Sequence, residues 1–319
     1  VTKLEEARSE KTKAVMIAHT LGNPFDLRAV KAFCDKYDLW LVEDNCDALG
    51  TQYTMEEDGK EVTRFTGTIG DIGTSSFYPP HHMTMGEGGA VYTADPLLNK
   101  IIRSFRDWGR DCVCPSGRDN LCGHRFDRQY GQLPLGYDHK YVYSHLGYNL
   151  KATDMQAAIG CAQLEKFPAF VERRRHNFDL LRKELEGCED KLILPERCPH
   201  SNPSWFGFLI TCRPGVNRNQ VVRYVEEKGV QPRMLFAGNL TKHPCFDEMR
   251  QEKTGYRIVG ELTNTDRIMN DTFWVGVYPG MTDEMILYMA KVIKEAVKGL
   301  RLVLMQRCRN GFIIYGKGP

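Results

Sequence analysis

Through the first third of the chain, short unbroken apolar runs alternate with stretches of helical spacing. The run AVMIA at 14–18 reads as a buried strand. Residues 26–37 then place Leu27, Val30, Phe33 and Cys34 on one stripe, which predicts a helix, and LWLV at 39–42 reads as the next strand. Residues 74–78 and 89–93 are further strand candidates, and 97–108 has amphipathic helical spacing. This β/α alternation predicts an α/β fold with a mostly parallel central sheet covered by helices.

From 109 to 141 the periodicity stops, and Gly, Pro, Asp, Arg and Cys dominate. A loop longer than about 12–15 residues inside a compact domain is usually functional or disordered. A long helical region opens at Thr153 and runs to about 186, with a break expected at Pro168. The remainder reads as a smaller α+β unit: strand 205–212, helix 219–228, strands 230–235 and 273–278, helix 283–298. The expected organisation is a large domain over 1–165 containing the cysteine-rich loop 109–141, then a small C-terminal domain over 166–299. The tail 300–319 fits no clear element.

Composition narrows the class. The 319 residues carry a formal net charge of +2, which argues against a nucleic-acid protein with a broad basic surface. No window approaches eighteen consecutive apolar residues, so no membrane span is expected. The charged opening residues lack the order of a signal peptide. Eleven cysteines, an odd number without a signal, point to reduced thiols in a cytoplasmic protein, some of them free to bind metal. The chain opens on Val1, which implies a start partway through a longer gene product.

Three constellations could carry chemistry. The first is 42–50 (VEDNCDALG), directly after a strand. Asp44 either faces a cationic group such as a protonated pyridine nitrogen at the sheet's ligand-binding edge, or caps the next helix. The second is 75–89, where a hydroxyl-bearing strand end leads through Pro79 and Pro80 to His81 and His82 and then a Gly-rich return. The prolines fix the backbone and the glycines admit a close ligand. Neither a phosphate-loop nor a dinucleotide spacing is present. The third is Cys112, Cys114 and Cys122, three thiols in eleven residues of irregular loop, the pattern of a metal clip. Zinc and iron–sulfur are both open, and spacing does not name a fourth ligand. Cys34 and Cys161 fall on apolar helical stripes and are expected in the core.

Residues 76–89 resemble the cofactor-lysine segment of the DegT/StrS nucleotide-sugar aminotransferases, Ser-Phe-Tyr-Pro-x-Lys-x4-Gly-Glu-Gly-Gly. The family belongs to the fold-type-I pyridoxal-phosphate enzymes, so the resemblance implies that fold. His81 stands in the lysine's place, and no lysine occurs anywhere over 70–95, so the cofactor cannot be tethered at this turn. That departure resembles the sugar 3-dehydrase branch, which uses pyridoxamine phosphate (PMP) and a histidine base. Cys-x-Cys-x7-Cys, with Cys46 two residues after Asp44, is similar to the [2Fe-2S] ligand set of the CDP-4-keto-6-deoxy-D-glucose-3-dehydrases. The matching ligands are Cys46, Cys112, Cys114 and Cys122, although an apparent insertion near 55–62 lengthens the gap after Cys46. Stretches 104–112, 143–149, 235–241 and 260–270 agree as well, and the resemblance covers about 3–298.

The resemblance implies a PMP-dependent 3-dehydrase of a nucleotide-linked 4-keto-6-deoxy sugar, with CDP as the expected nucleotide, acting in 3,6-dideoxysugar and O-antigen biosynthesis. Asp44 would pair with the pyridinium nitrogen, His81 would move the proton, and Ser76 would contact the cofactor phosphate. Asp47 would lie beside the cofactor ring, and Asn149 would reach a neighbouring subunit's phosphate in a homodimer. The [2Fe-2S] cluster would take electrons from a separate flavin-containing iron–sulfur reductase. Family members carry a longer N-terminal part with a Gly/Ser-rich phosphate segment, and this chain is expected to begin after it. Rival readings are a cluster-free sugar 3-dehydratase, a plain sugar aminotransferase, and a catalytically incomplete chain serving as a binding or dimerisation module.

Overall fold

A computed structural model of the protein describes residues 1–115 and 117–309, with side chains to 298. The first half runs α1 (Leu4–Ala7), β1 (Ala14–Ala18), α2 (Leu27–Lys36), β2 (Trp40–Asp44), β3 (Gln52–Glu57), β4 (Lys60–Phe65), β5 (Ile72–Ser76), β6 (Gly89–Tyr92) and α3 (Pro96–Arg106). After the long loop come α4 (Asp154–Glu184), β7 (Leu192–Ile193), β8 (Ser201–Asn202), β9 (Gly207–Cys212), α5 (Arg218–Glu227) and β10 (Pro232–Met234). Last come α6 (Asp247–Glu252), α7 (Thr263–Asp271), β11 (Thr272–Gly276) and α8 (Asp283–Arg309).

The expected α/β sheet forms in the order β1-β2-β5-β6, with β1, β2 and β5 parallel and β6 antiparallel at one edge. Parallel β1 and β2 need a crossover, and α2 supplies it. Its N-terminus is capped by Asp26, which accepts from the Ala29 amide, and its buried stripe is Leu27, Val30, Phe33 and Cys34. That stripe packs with Leu41 and Tyr53 in one core. A second core lies on the antiparallel sheet β10-β11-β9-β7, where Phe208, Ile210 and Phe273 meet Leu181 of α4, Val221 of α5 and Ile293 of α8. This is the smaller α+β unit. Among the described residues, no helix is long and apolar enough to cross a membrane.

Three expectations need correction. The helix from Thr153 is not broken at Pro168: α4 runs unbroken over 31 residues behind a Thr153/Gln156 capping box. A proline inside a helix costs about 3 kcal/mol. Burial of Val171, Phe178 and Leu181 in the turns beyond it opposes that cost. A boundary at 165/166 therefore falls inside one helix. Cys161 is exposed on that helix, not in the core, because the turns before Pro168 also leave Met155, Ile159 and Leu164 exposed. The last helix does not end at 298 but continues to Arg309, taking up part of the tail, whose residues 310–319 lie outside the described residues. The segment around 55–62, where an insertion is expected, forms the hairpin β3–β4, extended by β8 into a three-stranded sheet. Its turn, Asp58-Gly59, has φ of 51° and 73°, the paired positive values of a type I′ turn.

Candidate active site

Parallel strands β2 and β5 end side by side, with Asp44 in register with Thr74. The carboxyl ends of parallel strands are where open α/β sheets bind ligands. Asp44 Oδ1 accepts from the Cys46 amide at 3.1 Å and from the Thr74 hydroxyl at 3.2 Å. Both bonds fall on one oxygen, which leaves Oδ2 to meet a cation. No helix follows Asp44, so the capping alternative fails. Cys46 Sγ sits 3.9 Å from Thr74 Oγ1. Burial and the neighbouring Asp44 carboxylate push its thiol up to about 12. Ser76 closes β5, and its hydroxyl accepts from the Tyr78 amide at 3.3 Å, which starts the turn toward the histidines.

Past Pro79 and Pro80, the His81 amide donates to the Tyr78 carbonyl at 2.9 Å and completes that turn. The imidazole packs against the rings of Tyr78 and Phe206. Its Nε2 lies 3.5 Å from Asp47 Oδ1, while its Nδ1 is buried with no partner. Asp47 Oδ2 accepts from the amide of Leu21, a residue at φ 56°. Arg174, reaching over from α4, donates to the carbonyls of Trp205 at 3.1 Å and His81 at 3.4 Å. Its burial lowers the guanidinium to about 10, and Asp47 opposes that shift, so Arg174 stays charged at neutral pH. His81 and Arg174 line a cleft of about 1130 Å³ between this turn and the second sheet, with Phe206, Trp274 and Tyr278 opposite.

The neighbouring His82 is a core residue. It is fully buried, bonded through Nε2 to the Ser204 carbonyl at 2.8 Å, and burial holds its pKa well below the ordinary imidazole value. Behind Asp44, Glu43 accepts from the amides of Gly67, Ile69 and Gly70 and from His19 Nε2 at 2.9 Å. Burial would raise this carboxyl, but His19 and the Gly70 and Gly67 amides outweigh it and hold the group below its usual range. Arg174 and the His19–Glu43 pair escaped the sequence reading. Both work through partners far away in sequence, although His19-Thr-Leu-Gly-Asn-Pro24 was a visible polar, turn-forming break after the first strand.

Among its described residues, the cysteine loop is irregular from Asp107 to Asp138, as expected. Cys112, Cys114 and Cys122 line one small cavity with His139. Cys46 does not join them: its neighbours are Asp44 and Thr74. Among the described residues, no three His, Cys, Asp or Glu side chains are gathered closely enough to hold a metal ion. The expected four-cysteine set is therefore not assembled, because its members stand on a strand end and on a separate loop. Asn149 is exposed and bridges to Asp107. No hydrogen bond or ion pair among the described residues joins it to the group around Asp44.

The DegT/DnrJ/EryC1/StrS aminotransferase family matches residues 1–294. The chain belongs to this family. Among similar proteins is the lipopolysaccharide biosynthesis protein RfbH of Salmonella typhimurium, 58% identical over 92% of this chain and 64% of that protein. Another is the dTDP-4-dehydro-2,6-dideoxy-D-glucose 3-dehydratase of Saccharopolyspora spinosa, 50% identical over 92% of this chain and 61% of that protein. The chain thus spans under two thirds of the length of both relatives. Among solved structures, the E. coli GDP-4-keto-6-deoxy-D-mannose-3-dehydratase with bound hydrated PLP is similar at a TM-score of 0.74. It is 24% identical, with 92% of this chain and 70% of that one covered, and at this identity the likeness speaks for the fold.

Proposed function

We propose that the protein is a pyridoxamine-phosphate-dependent 3-dehydratase of a nucleotide-linked 4-keto-6-deoxy sugar. The observation that carries this reading is His81 at the turn where the family places its lysine. It stands 3.5 Å from Asp47, in the turn that follows β2, with no lysine over 70–95. A tethering amine would favour transamination, whereas an imidazole forms no Schiff base with the cofactor and is suited to moving protons. The Saccharopolyspora relative is named as a sugar 3-dehydratase, which agrees.

The residues present fit a pyridine cofactor. Asp44 offers a carboxylate oxygen at a parallel-strand edge, its other oxygen already pinned by Thr74 and Cys46. Bound there, the cofactor would supply an electron sink for the carbon that loses its proton. Asp44 would hold the proton on the ring nitrogen, and the Ser76 hydroxyl would reach toward the phosphate. His81 Nε2 faces Asp47 Oδ1 across 3.5 Å, so Asp47 stands as counter-ion when the imidazole becomes an imidazolium. Arg174 keeps the His81 backbone in place.

The finer reading adds a [2Fe-2S] cluster on Cys46, Cys112, Cys114 and Cys122, fed by a flavin-containing iron–sulfur reductase. Three thiols around one cavity support it, and it requires the loop to close onto Cys46. A cleft of about 350 Å³ beside Cys112 and Cys114, lined by Arg103, Arg106, Arg110, Arg118 and Lys151, suits an acidic redox partner. Exposed Tyr143, Leu146, Tyr148 and Leu150 around Asn149 support a second copy of the chain on that face. A cluster-free 3-dehydratase is the second reading, favoured by the separation of Cys46 from the loop thiols.

Incubation with pyridoxamine phosphate and CDP-, GDP- or dTDP-linked 4-keto-6-deoxyglucose tests the proposal by mass spectrometry. Loss of the 3-hydroxyl from at least one sugar is expected. A 4-amino sugar as the product would overturn the reading in favour of an aminotransferase. Iron with acid-labile sulfide separates the two dehydratase readings.

A further inference from the structure

The cleft against α3 is invoked above for its charge alone, and its construction says more. It encloses about 350 Å³ and is lined by six cationic side chains, Arg103, Arg106, Arg110, Arg118, Lys140 and Lys151. Among the described residues, Asp107 is the one carboxylate in its wall. Arg106 chelates that carboxylate at 2.7 and 3.0 Å, and Lys140 is taken by Asp119 at 2.6 Å. Arg103, Arg110 and Arg118 have no ion pair or side-chain hydrogen bond among the described residues. A concave wall of one sign concentrates counter-ions of the other. The cleft shares no lining residue with the one at His81.

Arg110 is held ready for an acceptor. Its guanidinium lies 4.6 Å from the Trp108 ring and 5.5 and 5.9 Å from those of Tyr141 and Tyr143, and its Nε is buried without a partner. Stacking engages the flat faces of a guanidinium and leaves its N–H edge free for an oxygen in the plane. Lys151 Nζ lies over the same indole at 4.8 Å. Trp108 itself stands at φ 63°, rare for a bulky residue, and its amide donates to the Tyr148 carbonyl at 2.8 Å. Backbone outliers of this kind cluster at ligand clamps, where the surrounding structure holds them.

We propose that this cleft is a second ligand site of the chain, one that takes the diphosphate group of a small molecule between Arg103 on α3 and the stacked Arg110. Guanidinium forks match phosphate oxygens in pairs, and three arginines here have no other partner. The enclosed volume falls at the lower end of small-molecule pockets, which run from about 300 to 1,000 Å³. A nucleoside diphosphate and inorganic pyrophosphate are the two sources of that group. An acidic protein segment is the rival occupant, and it needs charge but no enclosed volume. The inference stands apart from the dehydratase reading, since none of these residues belongs to the group around Asp44 and His81.

The test is isothermal titration calorimetry of the full chain at fixed ionic strength, with pyrophosphate, CDP, GDP, cytidine, sulfate and a polyglutamate peptide as probes. We expect pyrophosphate and both nucleoside diphosphates to bind and cytidine not to. Arg103→Ala and Arg110→Ala should each weaken that binding about 10- to 100-fold, the loss of one charged hydrogen-bonding partner, with a thermal melt showing the fold kept. Arg103 stands exposed on α3, so its variant decides the matter if Arg110→Ala disturbs the loop. Arg110→Lys keeps the charge without the fork and should fall between wild type and Arg110→Ala. Tighter binding of CDP or GDP than of pyrophosphate makes the ligand a nucleotide, and equal binding makes it the diphosphate group alone. No pyrophosphate binding, binding that neither alanine variant weakens, or sulfate bound as tightly as pyrophosphate would overturn the site. Polyglutamate binding without pyrophosphate binding would overturn it in favour of an acidic protein partner.

Discussion

Asp47→Asn isolates the electrostatic part of the proposed site. The side chain keeps its shape and can still accept from the Leu21 amide, but the carboxylate beside His81 is gone. Two unit charges at the observed 3.5 Å attract by about 4–5 kcal/mol at an effective dielectric of 20. The two side chains are 15% and 14% exposed, so part of that attraction is screened, and about 2–4 kcal/mol remains as the loss when an imidazolium forms. At 1.36 kcal/mol per tenfold, proton transfer should slow roughly 30- to 1,000-fold. The assay is release of tritium to water from pyridoxamine phosphate labelled at its aminomethyl carbon, with the keto sugar present. Cofactor affinity is measured beside it by absorbance titration and should change little, because Asp44 is untouched. A thermal melt controls for Arg174, whose nearest opposing charge is removed. A tritium-release rate within about threefold of wild type, in a folded variant, would refute the counter-ion role of Asp47.

Two further substitutions probe the frame. Glu43→Gln leaves the buried Gly67 amide and His19 facing an amide nitrogen, and should cost about 3–5 kcal/mol in urea unfolding at pH 7. Because the folded carboxyl is held below its ordinary 4.5, the contribution of Glu43 is present in full above that pH and is lost as the pH falls through the folded value. The gap between wild type and Glu43→Gln should therefore narrow only below about pH 4.5; a gap that closes between pH 7 and 5 would contradict this. Gly59→Ala meets no atom within 4 Å but must hold φ 73°, so it should cost about 1 kcal/mol in unfolding while leaving tritium release unchanged.

The residues that were legible in the sequence are those whose signal is local. Periodicity located β1, α2 and β2, because a buried stripe such as Leu27, Val30, Phe33 and Cys34 repeats along one helix. The turn from Ser76 to Gly89 could be read because prolines and glycines constrain backbone regardless of neighbours. The β3–β4 hairpin was equally local and was missed: Asp58-Gly59 between near-alternating residues is a strong hairpin signal, but the charge of Glu56, Glu57, Lys60 and Glu61 masked it. The continuity of α4 through Pro168 was not legible, since burial in the turns beyond the proline opposes its local cost. Arg174 and the His19–Glu43 pair depend on contacts between residues 24 to 93 positions apart, which no spacing rule reaches. The same limit applies to Cys46. Its place in a shared cysteine pattern says nothing of distance, and the fold puts it beside Asp44 and Thr74.

The most direct measurement is tritium release by His81→Asn with labelled pyridoxamine phosphate and the nucleotide-linked keto sugar. Loss of a positioned general base should lower the rate by about 10²–10⁴-fold while the cofactor still binds, because Asp44 and Ser76 remain at the strand ends. Unchanged release from a folded, cofactor-bound His81→Asn protein would remove His81 from the chemistry and the 3-dehydratase reading with it.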